Sequence, residues 1–459
     1  MTPIRIPHSL RPVLDAIRRA GGRPLVVGGA VRDAAFGLEP KDFDVEVYGL
    51  PAEPLRAALG EVGRVNAVGA SFGVLKVAVA GVEIDVALPR RESKSGRGHR
   101  GFLVEPDATM TPEQAASRRD FTINAMAYDP QSGDILDFFG GLDDLRARIL
   151  RHVSPAFADD PLRVLRGVQL AGRFGLSADP RTLDLSRRLF PEHAELALER
   201  VWAEWCKWAA KSVEPAAGLR YLRDCGWRAA YPEVQALEGC PQDPEWHPEG
   251  DAWVHTLLAA DCAARVAARD GLAEGDRAVL VLAALCHDLG KPATTVTREG
   301  RVRSPGHSDR EETYRGFLGR IGCPERIADR VAALSRCHLS HLDYVGSARH
   351  VRRLARTLGE GGETIEMLAR LVEADHDARP PLPGGMPEGM AALLEQAREL
   401  AASESAPRPL LLGRHLIEMG VEPGPRMGSI LREAYEAQLD GAFRTVEEAR
   451  EWAGNRLSR

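Results

Sequence analysis

A change of hydrophobic periodicity near residue 150 constrains this chain more than any other feature. Before it, four short runs rich in Val and Ile (Leu25 to Gly29, Phe43 to Tyr48, Gly73 to Val79, Val82 to Leu88) are bounded by Gly, Pro or Asp and read as strands. After it, strand signals nearly vanish. Pro161 to Phe174, Ala194 to Lys211, Val254 to Arg269 and Ala278 to Leu289 carry apolar residues at helical spacing. The sequence therefore predicts an α/β head followed by an all-helical remainder. Pro380 to Gly389, in which seven of ten residues are Pro or Gly, sets off a last helical segment.

The longest apolar run, Ala278 to Cys286, is far short of the ~20 residues that cross a bilayer, and the first residues, MTPIRIPHSLRP, hold no signal core, so no membrane and a cytoplasmic location are expected. Seven cysteines without a CxxC suggest neither disulfides nor a thiolate zinc site. A net charge of −6 speaks against a nucleic-acid partner only as an average. Arg90 to Arg100 holds five basic residues against one acidic, and Arg146 to Arg173 six against two. A basic cleft on an acidic protein is the sharper expectation.

Three segments of the head carry chemistry. In LVVGGAVRD, Leu25 to Asp33, a buried strand meets a Gly-Gly turn and a helix start. Gly28 and Gly29 would let backbone amides approach a phosphate, with Arg32 one turn in to pair with it. In KDFDVEV, Lys41 to Val47, the period of two puts Asp42, Asp44 and Glu46 on one strand face and Phe43, Val45 and Val47 on the core face. Carboxylates at i and i+2 lie about 7 Å apart at Cα, close enough to share the hard cation Mg2+ beside substrate phosphates. Asp85, in VEIDVAL, is a possible third carboxylate, and the loop Arg90 to Arg100 suits a triphosphate or an RNA backbone. In SRRDFTINAMAY, Ser117 to Tyr128, Arg118, Arg119 and Asp120 precede an apolar segment read as a helix, with Asp120 as its cap while an arginine reaches a phosphate.

GGAVRD, KDFD and RRDFTINA, in that order and spacing, resemble the head of the class II tRNA nucleotidyltransferases, the CCA-adding enzymes and bacterial poly(A) polymerases of the polymerase-β-like superfamily. The resemblance implies a Mg2+-dependent attack of an RNA 3′-hydroxyl on the α-phosphate of CTP or ATP. Asp42 and Asp44 would hold the metal, and Gly29, Arg32 and Arg119 would contact the nucleotide. His152 to Phe174 is similar to the family's next motif, an acidic pair followed by spaced arginines. On their own, Arg163, Arg166 and Gln169 recur every three residues of a helix starting near Pro161 and read as one face. Asp160 and Arg163 offer an acceptor and a forked donor to the edge of a base. The resemblance makes that pair the template that selects C, then A. Asp159 stands where the family commonly has Glu, and Gln169 where a third arginine is expected. A-only or CC-only addition and poly(A) synthesis are therefore the alternatives to full CCA synthesis. The implied partners are the tRNA 3′ end and acceptor arm, CTP and ATP.

Eight of the 13 histidines lie between His247 and His376. CHDLGK holds His287, Asp288 and Lys291, with His255 upstream and His307, His338 and Asp375 downstream. This order resembles the HD-superfamily metal-dependent phosphohydrolases, in which helices converge imidazoles and carboxylates on one or two metals. By that resemblance His255, His287, Asp288 and Asp375 are the core ligands of a divalent transition metal. His307 and His338 would extend the site to a second metal, Lys291 would sit near a phosphate, and the substrates would be phosphomonoesters and 2′,3′-cyclic phosphates. A phosphohydrolase with a nucleotide-sensing head is the reading from another class. The expected division is a nucleotidyltransferase head (1–148), a helical neck with the base-selecting helix (149–240), an HD-type body (241–379) and a helical tail with possible tRNA contact (390–459).

Overall fold

A computed structural model of the chain describes residues 4–40, 42–66, 74–94 and 102–458, and only the backbone of 91–94 and 102–105. Lys41 and residues 95–100 of the basic loop lie outside the described residues. The chain forms two compact units, Met1–Glu204 with Ala217–Ala230, and Trp205–Ala216 with Tyr231–Arg459.

The first unit holds strands β1 (Arg23–Val27), β2 (Asp44–Tyr48), β3 (Arg64–Asn66), β4 (Val74–Val79), β5 (Val82–Ala87), β6 (Arg90–Lys94), β7 (Phe102–Pro106), β8 (Ala127–Tyr128) and β9 (Ile135–Leu136). β6 and β7 pair with each other, and the other seven form one sheet in the order β3-β4-β5-β2-β1-β8-β9. β1 is buried at four of its five positions, as a central strand should be. Val45 and Val47 turn into the core with Val77, Val86 and helix residues Val13 and Ile17, while Asp44 and Glu46 face away. Ala80 and Gly81 join β4 to β5 with φ of 52° and 79°, the double positive φ whose twist matches a two-residue hairpin. The register aligns Val27 with Asp44 across β1 and β2, and Asp44 with Asp85 across the parallel pair β2 and β5. Three strands thus bring the Gly-Gly turn and two carboxylates to one sheet end.

The segment Ser117 to Tyr128 departs from expectation. It forms only a 3-10 turn, Thr122–Asn124, before β8, so Asp120 caps no α-helix. β8 must extend to pair with β1, and that tertiary pairing leaves no length for a helix. Helix Leu162–Phe174 buries Val164, Leu165, Val168 and Phe174 and ends at Gly175, whose φ of 61° is the left-handed stop that glycine takes without strain.

In the second unit, helix Glu274–Cys286 is buried at every position from Ala278 onward, so it must lie inside other helices. Ala252–Arg269, Glu325–Cys337 and Ile365–Asp377 pack on it. The Asp251 and Thr364 side chains accept backbone N–H groups at the starts of two of these helices. A small hairpin, Val296–Arg298 with Arg301–Arg303, turns through Glu299 and Gly300 and was not read from the sequence. After helix Glu388–Glu399, the tail helices Gly413–Glu418, Pro425–Leu439 and Val446–Leu457 share a separate apolar cluster including Leu416, Ile430, Phe443 and Ala449. Among the described residues no helix is long and apolar enough to cross a membrane. All seven cysteines are free.

Candidate functional site

A cleft of about 590 Å3 in the first unit is lined by Gly28, Gly29, Arg32, Asp44, Asp85, Arg119, Asp120, Asp160, Arg163 and Arg166. Asp42 is exposed just ahead of β2. Gly28 has φ 69° and ψ −125°, a conformation reserved for glycine, and a Cβ there would stand 3.0 Å from Arg119 Nη1. Arg119 Nη2 in turn lies 3.6 Å from Glu46 Oε2. The Asp44 carboxyl is pushed above the usual range, first by burial and then by Asp85, Asp42 and Glu46, with Arg119 opposing. That is a clustered negative charge suited to a cation. Asp85 shares a cation with Glu83, since Lys76, its register partner on β4, lies 3.3 Å from Asp85 and 2.6 Å from Glu83.

Arg32 is buried, and three of its five N–H groups are engaged by the protein. Nε and Nη2 donate to Asp33 Oδ1 at 2.9 and 2.6 Å, and Nη1 to Asn124 Oδ1 at 2.6 Å. Asp120 accepts from Phe121 N–H, Asn124 Nδ2 and Arg166 at 2.8 to 2.9 Å. Burial works to raise its pKa, but Arg166 and these hydrogen bonds outweigh it and hold the carboxyl below its ordinary value. Asp160 takes the N–H of Leu162 on Oδ1 and Arg200 on Oδ2, at 3.1 and 2.7 Å. Arg163 donates to the carbonyls of Ala156 and Arg118, at 2.6 and 2.9 Å.

Gln169 does not join this face. It is buried and lies outside the cleft lining, because each three-residue step on a 3.6-residue helix rotates the side chain by about 60°, and two steps turn it away. Arg200, from helix Leu198–Lys211, lines the cleft instead. The sequence reading missed it because no local spacing links it to Asp160.

The second unit gathers four of its histidines around Asp288. His255, His287 and Asp288 form one group whose ligand atoms lie within 4.8 Å of one another, and Asp288, His307 and His338 form another. All five are buried. His287, His307 and His338 each donate Nδ1–H to the carbonyl three residues back, those of Ala284, Ser304 and Ser335, at 2.7 to 2.8 Å. His255 turns Nδ1 to Glu249 Oε1 at 2.8 Å and Nε2 to Asp375 Oδ1 at 2.9 Å. The carbonyl bonds fix the tautomers of His287, His307 and His338, whose Nε2 atoms carry the lone pairs, whereas His255 meets a carboxylate with both ring nitrogens and donates from each.

Nevertheless Nε2 faces Nε2 at 3.3 Å in both His255 with His287 and His307 with His338. In His307 with His338 both Nδ1–H groups are spent on carbonyls, so two lone pairs are opposed and repel unless a proton or cation stands with them. Both Asp288 oxygens are buried and accept no hydrogen bond, although Lys291 Nζ pairs with Oδ2 at 2.7 Å. Burial would depress His255, but Asp375 and Glu249 raise its pKa to about 9. His338 falls to about 3 through burial and its His287 and His307 neighbours. Imidazole Nε2 atoms converging on a buried carboxylate, with ligand atoms within 4.8 Å of one another, fit one or two divalent transition metals. Glu249, which also accepts from His247 Nδ1 at 2.9 Å, was not singled out in the sequence.

Comparison with known proteins finds a family match over each of the two regions that hold these clusters. Residues 25–151 match the poly A polymerase head domain family, and residues 253–381 the HD domain family. A multifunctional CCA protein of Xanthomonas campestris pv. campestris is 39% identical over 395 residues, covering 82% of this chain and 92% of that protein. One from Xylella fastidiosa is 44% identical over 373 residues, covering 77% and 83%. Among solved structures, the Bacillus stearothermophilus CCA-adding enzyme in complex with CTP superposes with a TM-score of 0.65 at 22% identity, covering 99% of this chain and 98% of that one. The Thermotoga maritima CCA-adding enzyme complexed with tRNA gives 0.57 at 20%, covering 98% and 94%.

Proposed function

Because the chain belongs to the family of multifunctional CCA proteins, nucleotidyltransferases with an HD domain, we propose that it adds CMP and AMP from CTP and ATP to the tRNA 3′ end. The observation that carries the reading is the juxtaposition of Asp44 and Asp85 with the Gly28 turn and Arg119 in one cleft. Asp42 and Asp44 would hold Mg2+, which would supply charge neutralisation at the triphosphate and activation of the 3′-hydroxyl. Arg119, kept near the turn by Glu46, takes a phosphate. Gly28 leaves it the room to do so, and Arg32 braces the turn through Asp33 and Asn124. Asp160, braced by Arg200, accepts from the incoming base. Arg163 donates to that base with the N–H groups its carbonyl partners leave over, and Arg166 keeps Asp120 ionised. Asp42→Ala or Asp44→Ala eliminates CTP and ATP incorporation, and retained incorporation would refute the metal assignment.

The body is a second active site, a phosphohydrolase for phosphomonoesters and 2′,3′-cyclic phosphates. His255, His287, Asp288 and Asp375 would hold one metal, and His307 and His338 would extend the site to a second. A divalent transition metal there supplies Lewis acidity to the phosphate. Lys291, held on Asp288 and Gln242, meets the phosphate oxygens. A tRNA end blocked by such a phosphate has no free 3′-hydroxyl, so the body restores what the head extends.

A further inference from the structure

The body's cleft is larger than a phosphoryl group needs. It encloses about 690 Å3, within the range of about 300–1,000 Å3 in which pockets hold whole organic ligands. One part is the imidazole–carboxylate cluster with Lys291. The same cleft is also lined by Trp246, Leu339 and Leu342. Trp246 is 56% exposed and Leu342 68%, so two large apolar side chains stand open beside buried polar chemistry. Arg379 lines the same cleft with its Nε buried and without a hydrogen-bond partner, a donor suited to an anion.

The indole does not sit on a loose loop. The Trp246 backbone N–H donates to the Asp243 carbonyl at 3.1 Å. Arg301 ion-pairs with Asp243 at 3.0 Å and also with Glu245. On the other side His247 is tied to Glu249, which also holds His255. The segment is therefore anchored at both ends, and the anchor does not use the indole. A fixed, half-open indole offers a π-face on which any nucleobase can stack.

We propose that Trp246 is a specificity-determining residue of the body's hydrolytic site, stacking the base of a phosphorylated nucleoside while Arg379 takes a phosphate oxygen. The site then selects nucleotides over phosphomonoesters that carry no base. This rests on the phosphohydrolase reading above.

The test uses full-length protein and its Trp246→Ala and Trp246→Phe variants. kcat/KM for 2′,3′-cyclic AMP and 2′-AMP is compared with that for glycerol 2-phosphate, which has no base. In Trp246→Ala the nucleotide preference falls by about 5- to 150-fold, the worth of one stacked base, and mainly through KM. Trp246→Phe, which keeps an aromatic face, retains most of it. In parallel, 2′-AMP quenches tryptophan fluorescence in the native protein, and the quench disappears in Trp246→Phe although the nucleotide still binds. An unchanged preference in Trp246→Ala, or a quench that persists in Trp246→Phe, overturns the proposal. Native protein that hydrolyses none of the three substrates refutes the phosphohydrolase reading instead, and the fluorescence arm still decides the role of Trp246.

Discussion

Gly28→Ala perturbs the turn on which the head cleft depends. At φ 69° and ψ −125° a residue with a Cβ pays about 1–3 kcal/mol of backbone strain. The new methyl would also stand 3.0 Å from Arg119 Nη1, so the guanidinium must give way. Gly29→Ala is the control one residue on. It opens the helix Gly29–Ala35, its Cβ would meet Arg32 Nη2 at an ordinary 3.5 Å, and alanine gains up to about 1 kcal/mol of helix propensity. The two variants should therefore differ by about 1–4 kcal/mol, roughly 5- to 1,000-fold in the local opening constant. With two compact units in the chain, a single unfolding midpoint is the wrong readout. Native-state amide exchange at Val26, Val27 and Arg32, whose N–H donates to the Gly28 carbonyl at 3.2 Å, reports the segment itself. Gly28→Ala should exchange faster than Gly29→Ala by that factor and show a raised KM for ATP and CTP. Equal protection in the two variants would refute the argument that this turn requires glycine.

The depressed pKa of Asp120 predicts an acid dependence. Its ionised form stabilises the fold above the unfolded value of about 3.9, and that contribution is lost as pH falls through the lower folded value. The stability gap between the native protein and Asp120→Asn should thus narrow only below about pH 4, read as amide protection across an acid series, and a pH-independent gap contradicts it. Arg200→Ala removes the charged partner of Asp160 and should raise KM for both nucleotides by about tenfold, in line with about 1.5–3 kcal/mol for a charge-assisted hydrogen bond discounted for partial exposure; unchanged KM values would separate Arg200 from base selection. His287→Ala combined with Asp288→Ala should lower the metal content of the purified protein and abolish cyclic-phosphate hydrolysis while nucleotide addition persists. Loss of both activities would contradict two independent sites.

Much of this was legible because local pattern and tertiary role coincided. The alternation of KDFDVEV put the carboxylates and the valines of β2 on opposite faces, and burial follows it. Asp85 could be suspected from VEID, but its place beside Asp44 depends on the parallel pairing of β2 with β5, which no local window contains. The three-residue spacing of Arg163, Arg166 and Gln169 suggested a shared face until helical rotation turned the glutamine inward. Asp120 looked like a cap because Asp before an apolar run usually is one, and the pairing of β8 with β1 overrode that preference. The histidine cluster was visible as an ordered set of residues. Its tautomers were not, since they depend on carbonyls that only the folded chain presents to His287, His307 and His338.

The central claim is that the cleft around Asp44, Arg119 and Asp160 completes a tRNA end without a nucleic-acid template. The most direct measurement offers the purified protein three tRNA transcripts ending before CCA, after C and after CC, with CTP and ATP together, and sequences the products. The account predicts that all three end in CCA and go no further. Products that stop after CC, gain only A, or continue as a run of A would contradict it.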